Sequence, residues 1–181
     1  MEKQTNCECG CIHIYCGNGK GKTTCAVGLC VRAAGFGHKV LIYQFMKNNS
    51  TSERNVLSEV TNITLVDGLE DEKFSFQMTT AEKVERKSYY ESQFQKLTQK
   101  AADENFDVLF FDEIVYAIGL GLFDESLLLT FLKNKPKHLE VILTGQNPSE
   151  ALVAAADYVS EICKRKHPFD TGTPPRKGIE K

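Results

Sequence analysis

The residues best suited to chemistry form one run, Gly17-Asn18-Gly19-Lys20-Gly21-Lys22-Thr23-Thr24. Glycines at alternate positions let the backbone turn tightly and aim its N–H groups inward, as an anion requires. The run follows an apolar segment and precedes helix formers, so a helix amino end would face the same point. In that setting Lys22 reaches outer phosphates, the Thr23 hydroxyl ligates Mg²⁺, and Lys20 and Asn18 add donors. The usual spacing of such loops puts glycine at position 16. Here the residue is Cys16, which marks the loop as a variant.

A second signal is acidic. Val108 to Phe111 are apolar and lead into Asp112-Glu113, a strand ending in carboxylates, like a Walker B segment. A carboxylate there holds Mg²⁺ directly or through water; alternatively the pair caps the next helix through its dipole. The residues alone leave open which acid meets the metal. Other candidates read as structural. His13 sits within a strand, Cys25 and Cys30 are small packing residues on the first helix, and Lys164-Arg165-Lys166 is a solvated basic face. Cys7, Cys9 and Cys11 have the types to bind a soft metal, but not the spacing of common zinc sites. They read as reduced tail thiols.

These side chains need a scaffold. Strands are expected at Ile12–Cys16, Lys39–Phe45, Asn62–Val66, Phe106–Asp112, Glu140–Thr144 and Tyr158–Ile162. Helices are expected over 22–34, within 47–59, from Thr80 to about Asn105 with a Thr79/Glu82 capping box, over 124–133, and over 149–156 capped by Ser149 or Asn147. Alternation of this kind gives an α/β fold with a mostly parallel sheet and helices on both faces. Residues 1–11 read as a flexible arm and 12–181 as one P-loop domain. The 181 residues carry a formal net charge of −2, which argues against a nucleic-acid partner. No apolar run has a membrane-spanning length and no secretory signal stands at the start, so the expected address is the cytoplasm.

With both motifs placed, the chain resembles the P-loop type cob(I)alamin adenosyltransferases. The phosphate loop, VLIYQFMK (Val40 to Lys47), Glu53-Arg54-Asn55, FFDEI, Ile142-Leu143-Thr144-Gly145 and the tail from Ala156 to Glu180 carry the likeness. The resemblance implies transfer of the 5′-deoxyadenosyl group of ATP to Co(I) of a corrinoid, with release of triphosphate. It implies ATP bound in reversed sense in the variant loop, Glu113 as the metal-binding acid, a homodimer, and an unidentified reductant. It also implies that His167 and the tail close over the site. In the family a Phe-x-Trp pair pushes off the lower axial ligand of cobalt. Here the pair is Phe74-Ser75-Phe76, and the chain has no Trp. Two other classes fit the motifs: a P-loop ATPase or kinase, and a non-catalytic, ATP-gated corrinoid carrier.

Overall fold

The computed structural model describes residues 9–73 and 75–180. Six strands form one sheet: β1 (Ile12–Cys16), β2 (Val40–Gln44), β3 (Ile63–Val66), β4 (Val108–Asp112), β5 (Glu140–Thr144) and β6 (Tyr158–Glu161). Their order is β3-β2-β4-β5-β1-β6, and every pairing is parallel. All six expected strands are present, within a residue or two at each end.

The helices are α1 (Lys22–Phe36), α2 (Ser52–Leu57), α3 (Thr80–Asp103), α4 (Ile114–Gly119), α5 (Glu125–Asn134) and α6 (Glu150–Ala155). Two sets of buried side chains show how they cover the sheet. Val40, Ile42, Val108, Phe110 and Ile142 pack with Ala26, Cys30, Ala34 and Leu57 from α1 and α2. The alternate residues Leu41, Tyr43, Leu109, Phe111, Val141 and Leu143 pack with Tyr90, Phe94, Leu97 and Ala101 of α3 and with residues of α4, α5 and α6. Strands buried on both faces need no polar alternation, hence the apolar runs in β2 and β4.

Local chemistry sets the helix ends. Thr79 and Glu82 form a complete capping box at α3. Ser149, not Asn147, caps α6 by accepting from the Leu152 N–H at 3.1 Å. Gly37, at φ 109°, closes α1, so that helix runs through Gly35 to Phe36, two residues past its expected end at 34. Helix α4 was not expected. It is six residues long and nearly all apolar, too short to display a helical period. Cys30 is buried, as expected of a packing residue, but Cys25 is exposed.

The sequence reading placed Gly10 and Cys11 in the arm. Both are fastened: the Gly10 N–H donates to the Lys137 carbonyl at 2.6 Å, and the Cys11 N–H to Glu140 Oε2 at 2.7 Å. Cys7 lies outside the described residues. Among the described residues no group of three or more His, Cys, Asp and Glu is arranged to hold a metal, and no helix is long and apolar enough to cross a membrane.

Candidate functional site

Parallel strands bring their carboxyl ends to one edge, where ligands of such sheets bind. The loop after β1 turns there through Gly17 (φ 99°) and Gly21 (φ 119°). Cys16 is still strand and is not among the positive-φ residues, so this position does not demand glycine. Gly19 is needed for another reason. Its N–H donates to the Ile162 carbonyl at 2.7 Å, and an added Cβ would lie 2.7 Å from that same oxygen. The phosphate loop therefore rests directly on the chain leaving β6. Asn18 strengthens the join, because its Oδ1 accepts from the Lys164 N–H at 2.8 Å. Its side chain ties loop to tail.

Strand β5 lies between β1 and β4, so the Walker B strand is one strand removed from the phosphate loop. Thr144, at the end of β5, fills the gap. Asp112 is fully buried and accepts four hydrogen bonds. Its Oδ1 takes the hydroxyls of Thr23 at 2.9 Å and Thr144 at 2.6 Å. Its Oδ2 takes Lys47 Nζ at 2.5 Å and Gln44 Nε2 at 3.1 Å. A buried carboxylate left unpaired is strongly destabilising, and this set satisfies it. Burial is the largest single influence on Lys47 and opposes its charge, but the charge and hydrogen bond of Asp112, with the charges of Glu53 and Glu113, together hold the ammonium pKa above its ordinary value.

Glu113 points elsewhere. At φ 60° it caps α4 in the left-handed region, a conformation that costs a non-glycine residue free energy. Its N–H is held by Thr144 Oγ1 at 2.8 Å. Gly145 lets α4 approach: an added Cβ there would lie 2.5 Å from the Tyr116 nitrogen. The sharp turn leaves Asp112 inside and brings Glu113 to a cavity of about 460 Å³. Burial, and then the nearby Asp112 charge, raise the Glu113 pKa.

Gly19, Lys20, Gly21, Lys22, Thr23 and Thr24 form one wall of this cavity, and Lys47, Ser52, Glu53 and Glu113 line it with them. The chain end comes back to it: Gly178, Ile179 and Glu180 also line it, and Glu180 lies 3.8 Å from Lys20 Nζ. Lys22 Nζ donates to the Gly19 carbonyl at 2.9 Å. The structure thus brings together Lys20, Lys22, Thr23, Thr24 and Glu113. It sets Asp112 behind them and Asn18 toward the tail.

Other described candidates fall outside the cavity. Phe74 lies outside the described residues. Phe76 sits in a short 3₁₀ turn before α3, 79% exposed. Arg54 turns away from the site into a pairing with Asp67 at 2.5 Å. His167 caps the turn at Pro168–Thr171, its Nδ1 accepting from the Phe169 N–H at 3.2 Å. His13 hydrogen-bonds to Glu140 and stacks on Tyr158, a structural role. Gln44, Lys47, Glu53 and Thr144 lie in segments that carry the family likeness, but sequence reasoning assigns them no role. The available signal was register: Gln44 is a polar residue ending an apolar strand and pairs directly with Asp112.

The chain matches the model of the ATP:corrinoid adenosyltransferase BtuR/CobO/CobP family over residues 8–180. The chain belongs to this family. The adenosyltransferase match takes in the phosphate loop, the Asp112-Glu113 pair and the tail. Two relatives are similar along nearly the whole length. The corrinoid adenosyltransferase of Escherichia coli K12 is 31% identical over 180 residues, 98% of this chain and 88% of that one. The corrinoid adenosyltransferase CobA of Salmonella typhimurium LT2 is 31% identical over 176 residues, 96% and 86%. Among solved structures, the KaiC-like protein PH0186 of Pyrococcus horikoshii superposes with a TM-score of 0.54 at 18% identity, covering 86% of this chain and 74% of that one. At that identity the likeness speaks for the P-loop fold alone.

Proposed function

We propose that this adenosyltransferase binds ATP at the Gly17–Thr24 loop and transfers its 5′-deoxyadenosyl group to Co(I) of a corrinoid, releasing triphosphate. The observation that carries the reading is the cavity itself. Loop amides, Lys20, Lys22 and Thr23 line one side of it and Glu113 another, at the edge where this fold binds ligands.

The nucleophile is the substrate's own metal, so the protein has little acid–base work to do. The Co(I) electron pair forms a bond to the ribose 5′-carbon. The bond from that carbon to the phosphate oxygen breaks, and triphosphate leaves with its electrons. The chain must align the two substrates and offset charge on the leaving group. The amino end of α1, Lys20, Lys22 and the loop N–H groups are placed to do so, and Thr24 adds a hydroxyl. The Thr23 hydroxyl and the Glu113 carboxylate at the cavity are hard oxygen donors that fit Mg²⁺. Asp112 aligns Thr23 from behind. Mg²⁺, when bound, supplies further positive charge to the triphosphate oxygens.

A corrin ring is too large for the cavity and has to dock on its rim. Phe76, with Phe74, is read as the wedge that displaces the lower axial ligand before an external one-electron donor reduces Co(II). The same reading expects a cytoplasmic homodimer, which sedimentation of the purified chain checks. The test of function is incubation with MgATP and chemically reduced cobalamin. The wild-type chain should give the light-sensitive cobalt–carbon product in the visible spectrum, and Lys22→Ala should give none. Undiminished product with Lys22→Ala would remove the phosphate loop from the mechanism.

A further inference from the structure

Beside Thr23, the place that suits a metal ion is filled by a side chain. Lys47 Nζ lies 2.5 Å from Asp112 Oδ2, 3.4 Å from Thr23 Oγ1 and 3.8 Å from Glu53 Oε1. Glu113 lines the same cavity. Two carboxylates and the Thr23 hydroxyl thus meet one ammonium, with the Glu113 carboxylate on the same cavity. Lys22 of the phosphate loop spends its ammonium on the Gly19 carbonyl at 2.9 Å. Oxygen donors of this kind are what Mg²⁺ takes.

The backbone aims Lys47 at this spot. Met46 stands in the left-handed region at φ 56°, and its N–H is held by the Tyr90 hydroxyl at 2.9 Å. This turn at the end of β2 folds the chain back over the strand ends. The Lys47 side chain remains 21% exposed and lines the cavity, so its flexible stem has an open direction in which to move.

We propose that Lys47 is a placeholder cation: in the nucleotide-free chain its ammonium neutralises the carboxylates around Thr23 and keeps divalent metal out of that seat, and it withdraws when metal arrives together with triphosphate. The inference rests on the proposed reading of the cavity as a metal–triphosphate site. Charge balance gives it a direction. Free metal entering alone would put two cations side by side, which repel strongly at short range in a partly buried site. Metal entering with triphosphate brings more negative charge than it cancels, and the displaced ammonium finds new partners in the phosphate oxygens. Metal loading is thereby coupled to nucleotide loading.

Mn²⁺ binding to the nucleotide-free chain, followed by electron paramagnetic resonance, tests this without corrinoid or turnover. An ammonium that holds the seat about 90% of the time weakens apparent metal affinity about tenfold. Lys47→Gln keeps a donor for Asp112 without the charge, and should bind Mn²⁺ roughly tenfold more tightly than wild type or better. Lys47→Arg keeps the charge and should bind as weakly as wild type. Lys47→Met, of similar length, repeats the Gln measurement should Lys47→Gln fail to fold. A lysine that only stabilises the fold would lower the melting temperature in these variants and leave Mn²⁺ affinity unchanged; equal affinity in Lys47→Gln and wild type overturns the proposal. Adenosyl transfer by the wild-type chain separates the two readings. Product formation with unchanged Mn²⁺ affinity in the variants defeats only the placeholder. Absence of product with tightened Mn²⁺ affinity defeats only the assigned reaction.

Discussion

Asp112 and Glu113 are neighbours in sequence with opposite situations in the fold. Asp112 is enclosed and fully hydrogen-bonded, whereas Glu113 reaches the cavity with a carboxyl whose pKa is raised by burial. A raised carboxyl pKa means that the folded state disfavours the charged form. That group's contribution to stability is therefore fully present below its unfolded pKa and is lost as pH rises through the folded one. Glu113→Gln removes the term. The nucleotide-free variant should be more stable than wild type at pH 7 by on the order of 1 kcal/mol, a melting rise of about 2–4 °C for a chain of this size. The difference should shrink as pH falls through the carboxylate range. Calorimetry across pH checks this, and the same variant should lose adenosyl transfer. The pair of acids was legible in the sequence as a strand end. Their division of labour was not, because it depends on the left-handed turn at Glu113 and on Thr144 arriving from a strand 32 residues away in sequence.

At the scale of elements, the phosphate loop is built on its neighbour. Gly17 and Gly19 both lie against the backbone that leaves β6, with hypothetical Cβ atoms 2.5 and 2.7 Å from the Ile162 oxygen. Gly21 has open space around it and is constrained by its φ of 119° alone. Gly19→Ala must therefore push β6 and the loop apart, because the obstacle is backbone that cannot rotate away. We expect ATP affinity to fall by at least about tenfold, or ~1.4 kcal/mol, measured with a fluorescent nucleotide, while far-ultraviolet circular dichroism stays close to wild type. The strands and the longer helices were legible because double-faced burial and caps leave periodic or apolar marks, as in β2, β4 and α3. Helix α4 was not, since six residues beginning at a left-handed glutamate carry no period. The tie between Asn18 and Lys164 spans 146 residues, and no local pattern announces it.

For the molecule as a whole, the parallel sheet puts the phosphate loop, Glu113 and the segment after β3 on one edge. That segment leads from Val66 into the turn that bears Phe76. Phe76 is 79% exposed, and an aromatic face suits contact with a large flat ring. Phe76→Ala should leave ATP affinity unchanged and slow product formation from Co(II) corrinoid. Activity should be largely restored when Co(I) is supplied ready-made; an equal loss with Co(I) would contradict the wedge. The family resemblance made this edge legible in outline. Lys47 and Glu53 stood in segments of that likeness, but their place at the site emerged only once β2 was seen beside β4, with Gln44 facing Asp112. Everything at this scale depends on which bond of ATP is broken. Phosphorus nuclear magnetic resonance of the chain turning over ATP with excess Co(I) corrinoid decides it: one equivalent of intact triphosphate should appear for each adenosylated corrinoid, and ADP with inorganic phosphate as the products would contradict the account.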